Sequence, residues 1–175
     1  MADITHGTWI KDGKVVDAVY KSGVKIYGQN LLTGTANKTI TGQNTSGYLS
    51  NETNDDFLSL FQGLEGETVT ISVDYKYQGF VAGIHQNRMG WESRIVADSK
   101  TLYFGPWYYA NSSMNSSGSG RIFSTFVVPK NITSIGYANG YIQFSGSGIG
   151  TLSHLKLEKG SVATDWSPAP EDILN

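Results

Sequence analysis

The sequence predicts an all-β fold, an antiparallel sandwich or barrel, on three observations. Its 175 residues include 21 Gly and 10 Tyr with only 16% charged residues, a bias toward strands joined by turns rather than toward helix. Short β-like runs recur at close spacing, with no helical pattern between successive strands. The length suits one well-sized core, so a single domain is expected.

Residues 1–29 read as an N-terminal arm packed on the body, or as a linker. Within them TWIKDGKVVD is two short strands about an Asp12–Gly13 turn, and AVYKSGVKIYGQN contains a second Gly turn. Too few apolar residues lie here for a separate core. The domain proper is expected at 30–172, with 173–175 as a C-terminal tail. NDDFLSLFQGL is the one helical candidate: Asn54 would cap it, Phe57, Leu58 and Phe61 would share a face, and Gly63 would end it. In ETVTISVDYKY, Val69, Ile71, Val73, Tyr75 and Tyr77 alternate with Thr70, Ser72, Asp74 and Lys76, which predicts one buried face and one wet face. Further strands are expected at 79–85, 93–98, 101–104, 121–129, 140–146 and 151–160. Asn residues at 30, 37, 44 and 51 fall seven apart, but their flanks do not repeat, so no solenoid is read.

Charge and composition remove several functions. The net charge is −2 and no Lys/Arg run occurs, so nucleic acid is not an expected partner. No apolar run approaches the roughly 20 residues that cross a bilayer, so no membrane insertion is expected, and MADITHGTW has no signal-peptide pattern. The absence of Cys excludes disulfides, thiolate metal sites and Cys nucleophiles. His6, His85 and His154 are scattered without metal-ligand spacing. No cofactor is expected, apart from a structural Ca²⁺, whose oxygen ligands can converge from distant loops. Glu92 and Asp98 are the nearest approach to a glycosidase pair, but a strand separates them and both read as solvated polar positions. With no convincing acid, base or nucleophile, the chain reads as a binder rather than an enzyme.

The segment from His85 to Gly120 is the candidate recognition surface. It carries Arg88, Trp91, Arg94, Tyr103, Trp107, Tyr108 and Tyr109 among Asn, Ser and Gly. Tyr and Trp supply rigid amphipathic area while the small polar residues supply adaptable hydrogen bonds. Sugar C–H faces lie well on aromatic rings, with hydroxyls left for Arg, Asn or Tyr. These eight residues, His85 included, are therefore the expected saccharide contacts. Burial competes with this for Trp91 and Trp107. Consecutive Tyr108 and Tyr109 cannot both face inward on a regular strand, so at least one must face outward.

GQNLLTGT at 28–35, GETVTISVDYKY at 66–77 and the closing YIQFSGSGIGTLSHLKLEKGSVATDWSPAPED resemble the carbohydrate-binding-module-like domains of tail and baseplate proteins of phages that infect Gram-positive bacteria. The resemblance covers about residues 30–172 and implies a jelly-roll β-sandwich within a distal-tail or receptor-binding protein. It implies a virion location, neighbouring tail-protein domains as partners, and adhesion to a host cell-wall or cell-surface saccharide. A purely structural tail-decorating sandwich and the binding module of a wall-degrading enzyme are the alternatives. The closing motif is read as structural: Leu155 and Leu157 would face the core, Gly160 would turn the chain, and Trp166, Pro168 and Pro170 would seal the end.

Overall fold

The computed structural model describes residues 3–5, 8–12 and 14–174; His6, Gly13 and Asn175, named above, lie outside the described residues. At the N-terminus β1 (Asp3–Thr5), β2 (Thr8–Lys11) and β3 (Lys14–Val15) form a small antiparallel sheet. The hairpin of β4 (Ala18–Lys21) and β5 (Val24–Gly28) follows, turning through Ser22 and Gly23. Both turn residues have positive φ, 51° and 79°, as a tight hairpin turn requires.

Two antiparallel sheets then pack face to face. The first orders β12 (Gly118–Val127), β8 (Thr68–Val81), β14 (Ser147–Lys159) and β6 (Thr39–Gly42). The second orders β10 (Lys100–Phe104), β9 (Asn87–Ala97), β13 (Ile132–Phe144) and β7 (Asn44–Gly47), with β11 (Trp107–Tyr109) continuing the β10 edge along β9. The fold is a jelly-roll β-sandwich. Its core interleaves Val69, Ile71 and Val73 of β8 and Leu152, Leu155 and Leu157 of β14 with Met89, Trp91 and Ile95 of β9 and Ile142 of β13, all fully buried.

Helix α1 (Asn54–Gly63) packs on the sandwich, burying Phe57 and Phe61. Its cap is Thr53 rather than Asn54. The Thr53 hydroxyl accepts from the Asp56 amide while the Asp56 carboxylate accepts from the Thr53 amide, so the reciprocal pair wins over a lone Asn. These hydrogen bonds to Thr53 hold the Asp56 carboxyl below its usual pKa. A short helix α2 (Glu171–Leu174) closes the described chain.

The strand expectations need correction in several places: the run 140–146 is the end, to Phe144, of a strand that begins at Ile132, and Thr39–Gly42, Asn44–Gly47 and Trp107–Tyr109 are strands outside the expected runs. The run 79–85 is strand only to Val81, whereas Asn87–Glu92, outside the expected strand runs, forms the first half of β9. Nor is the second face of β8 uniformly wet: Thr70 and Ser72 are fully buried beside Val69, Ile71 and Val73. Thr70 donates to or accepts from Thr125 and reaches the Gly160 carbonyl, and Ser72 accepts from Arg121. Hydrogen bonding makes their burial affordable.

The closing motif explains why that side is covered. A bulge in β14, with His154 at φ 53°, slips the alternation so that Leu152 and Leu155 both face inward. Beyond it Lys156 and Glu158 point to the opposite face and are fully buried. Glu158 pairs with Lys25 of β5 at 2.7 Å and accepts from the Thr164 amide, while Lys156 Nζ donates to Thr164 Oγ1 and the Asp165 carbonyl. Asn30 joins the two chain ends: its Nδ2 reaches Thr35 Oγ1 and the carbonyls of Leu155 and Ser167, and its Oδ1 accepts from the amides of Leu32 and Leu157. Gly160 turns the chain at φ 93°, and Trp166 stacks on His154 while donating to Thr35 Oγ1.

Candidate functional site

Strand alternation on β9 sorts the candidate segment into two populations. Met89, Trp91 and Ser93 face the core, so Arg88, Gly90, Glu92 and Arg94 lie on the outward side, where Gly90 is covered, Arg88 and Glu92 are half-buried and Arg94 is exposed. Cross-strand pairing then sets the outward residues in rungs. Tyr103 of β10 pairs with Arg94, which pairs with Tyr137 of β13. Glu92 lies beside Asn139. Trp107 pairs with Gly90, then Tyr141, then Ser46 of β7. Tyr109 pairs with Arg88, then Gln143, then Asn44. The edge keeps register across Gly105–Pro106, where Pro106 offers no N–H but accepts from the Trp91 amide. Gly105 has φ 151°, and a Cβ there would collide with the Trp91 carbonyl.

The rings on this face are held by Glu92. Its Oε2 accepts from Trp107 Nε1 at 3.1 Å and its Oε1 from the Tyr137 hydroxyl at 2.7 Å. Desolvation first, and then the Glu92 hydrogen bond, pushes the Tyr137 phenol well above its usual pKa, so it stays a donor. Tyr141 is also raised, by desolvation, against a lowering hydrogen bond from Asn139. Trp107 and Tyr141 lie with ring centroids 6.1 Å apart, and Tyr141 meets Tyr137 edge-on at 5.8 Å. The Arg88 guanidinium sits 3.9 Å from the Trp107 ring centre while its Nε donates to Gln143. At the margins Tyr103 and Tyr109 are more than half exposed, and Tyr48, just past β7, is 47% exposed.

Two depressions flank the platform. One of about 320 Å³ runs along Asn44, Ser46, Tyr141 and Gln143. The other, of about 450 Å³, lies at the loop end between Ile84, His85, Tyr109, Asn111 and Ser112. His85, Arg88, Trp107 and Tyr109 therefore share one surface, and Arg94 and Tyr103 extend the same face.

Trp91 and Tyr108 do not belong to it. Trp91 is fully buried against Phe57 with ring centroids 5.7 Å apart, because its place on β9 has core parity. Tyr108 turns under the sheet, stacks on Tyr75 at 4.2 Å and meets the Tyr77 hydroxyl at 3.3 Å. Desolvation and that hydrogen bond raise its pKa strongly. The platform also contains residues outside the sequence candidates: Tyr48, Tyr137, Asn139, Tyr141, Gln143 and the anchoring Glu92. In YANGYIQF, Tyr137, Asn139, Tyr141 and Gln143 alternate with Ala138, Gly140, Ile142 and Phe144, a period-two signal that could have found four of them.

Glu92 and Asp98 are not a hydrolytic pair. Six residues along an extended chain are roughly 20 Å, about twice the widest carboxyl separation of inverting glycosidases. Both Glu92 oxygens are engaged, and Asp98 accepts from Asn131. Among the described residues no three His, Asp or Glu side chains converge to hold a metal, and no helix is long and apolar enough to cross a membrane.

No protein-family model matches the chain, and no curated protein does. Among solved structures it is similar to the tripod from the baseplate of bacteriophage Tuc2009, with a TM-score of 0.50 and 17% identity. That match covers 83% of this chain, which spans 60% of the tripod chain. The likeness is one of fold. Looser matches include the C-terminal family 22 carbohydrate-binding module of a Clostridium thermocellum xylanase, with a TM-score of 0.42 and 10% identity over 80% of this chain and 96% of that one. A family 22 xylan-binding domain from Paenibacillus barcinonensis matches with a TM-score of 0.36 and 12% identity over 55% of this chain and 64% of that one.

Proposed function

We propose that this chain is a non-catalytic carbohydrate-binding module of a phage tail, and that the outward face of the β10/β11–β9–β13–β7 sheet adheres to a host cell-surface saccharide. The observation that carries the proposal is the set of aromatic rungs on one open face, with Trp107 and Tyr137 fixed by a single carboxylate. Rings fixed before binding lose little entropy when a sugar lands on them. Asn44, Ser46, Asn139 and Gln143 supply donors and acceptors for hydroxyls. The tripod likeness supports a place in the virion tail beside other tail-protein domains.

A shallow open face covers little of a sugar. Affinity for one monosaccharide is expected on the order of 1 mM, or about −4 kcal/mol. Adhesion then comes from several copies on one tail meeting a repetitive wall polymer, which raises avidity by roughly 10² to 10⁴. The test is labelling of Gram-positive cells by a multivalent fluorescent form of the chain. Tyr109→Ala and Tyr141→Ala should remove labelling while the proteins stay folded, and free sugars should compete. Undiminished labelling by both folded variants would sink the assignment to this face.

A further inference from the structure

The same face holds two cations that the ring scaffold does not neutralise. The Arg94 guanidinium has no hydrogen-bond or ion-pair partner among the described residues, although it lies between Tyr103 and Tyr137 in its rung. Arg88 spends only Nε, on Gln143, and its stacking on Trp107 fixes the guanidinium plane while its terminal nitrogens stay unbonded among the described residues. Glu92 is the one acidic side chain set among these rungs, and both its oxygens already accept hydrogen bonds. The face therefore carries a net positive charge on a chain whose net charge is −2. A planar guanidinium held against a ring is pre-organised for bidentate contact with a phosphate or carboxylate.

We propose that the saccharide recognised here is anionic, a sugar or sugar polymer bearing phosphate or carboxylate groups, with Arg88 and Arg94 as its charge-reading residues. This rests on the carbohydrate-binding reading above. Arg88 and Arg94 stand six residues apart on β9, roughly 20 Å. That distance is longer than one sugar ring, so the two cations meet separate anionic groups along a chain. Gln143 and Trp107 fix the Arg88 fork, while Arg94 is free to adjust, which makes Arg88 the stronger determinant.

The experiment is an NMR titration of the whole chain with glucose, glucose 6-phosphate and glucuronic acid at low salt, with inorganic phosphate alone as a control. Both sugar acids should bind at least about 10-fold more tightly than glucose, consistent with hydrogen bonds to a charged group. The advantage should shrink as salt is raised. Phosphate alone should bind more weakly than glucose 6-phosphate, because the rings need a sugar. In Arg88→Gln/Arg94→Gln, checked for an unchanged melting temperature, the preference should fall to within about 2-fold, and the relative gain for phosphate over carboxylate identifies which group is read. Equal binding of glucose and the sugar acids, with both lost in Tyr109→Ala, would overturn this inference and leave the carbohydrate reading standing. A preference that survives the double substitution, or phosphate binding as well as its sugar ester, would overturn it as well. Failure of every sugar to bind would overturn both.

Discussion

The outward faces of the two sheets start from the same strand alternation and end in opposite conditions. On the β12–β8–β14–β6 sheet, one end of the face is sealed by the segments at the two ends of the chain. Lys25 of the arm meets Glu158, Thr164 of the closing segment meets Lys156 and Glu158, and Asn30 bonds both sides. Among the described residues the β10/β11–β9–β13–β7 sheet has no such cover: Tyr48, Tyr103 and Tyr109 are exposed, and Trp107, Tyr137 and Tyr141 are half-buried. Polar side chains on the covered face are spent on the fold, whereas on the open face only Glu92 is fully engaged and Arg94 and the terminal nitrogens of Arg88 remain available to a ligand. Burial with partners separates a structural polar residue from a recognition one far better than residue type does.

The largest effects should come from the covered and core positions. Glu158→Ala would strand Lys25 and Lys156 as buried cations and should cost about 3 to 5 kcal/mol in denaturant unfolding. Trp91→Ala should cost a similar amount, about 3 to 5 kcal/mol, by opening a cavity against Phe57. A loss under about 1 kcal/mol at Trp91 would return that residue to the surface. Next comes Trp107→Phe, which removes the indole N–H from Glu92 and should cost about 1 kcal/mol while weakening sugar binding. Tyr109→Ala, at the exposed margin, should move stability by no more than about 0.5 kcal/mol yet abolish cell labelling. If Tyr109→Ala unfolds the protein, the contrast between the faces fails.

The smallest effect sharpens the same contrast through pH. Desolvation lowers Lys156 from 10.5 to about 8, partly offset by Glu158 and reinforced by the nearby charges of Arg121 and Lys25. Between those values the unfolded chain holds a proton that the folded chain has released, so this group makes stability rise with pH across that window. Below pH 8 the cost of burying its charge is fully present. Lys156→Met should flatten the slope of the melting temperature between pH 8 and 10, because the group that gives up its proton on folding in that window is gone. An identical slope in the variant would remove Lys156 as its source.

The fold class was legible because a sheet writes a local signature: alternation in β8, Gly and Asn at turns, and no long helix. Leu155, Leu157 and Gly160 were legible for the same reason, and the Tyr108–Tyr109 argument needed only that neighbours on a strand face opposite ways. What failed was parity without a register. Trp91 resembles a binding residue until β9 is known to begin at Asn87, which places it opposite Gly140 and inside. Tyr137 and Tyr141 lay outside the aromatic-rich segment, and only pairing of β13 with β9 carries them to Arg94 and Gly90. The sequence by itself determined that strands would alternate and that aromatic, Arg and small polar residues were abundant enough for a recognition surface. Tertiary structure decided which of them share a face, because that depends on strand register and on which sheet the chain ends cover, and both are set by contacts between residues far apart in sequence.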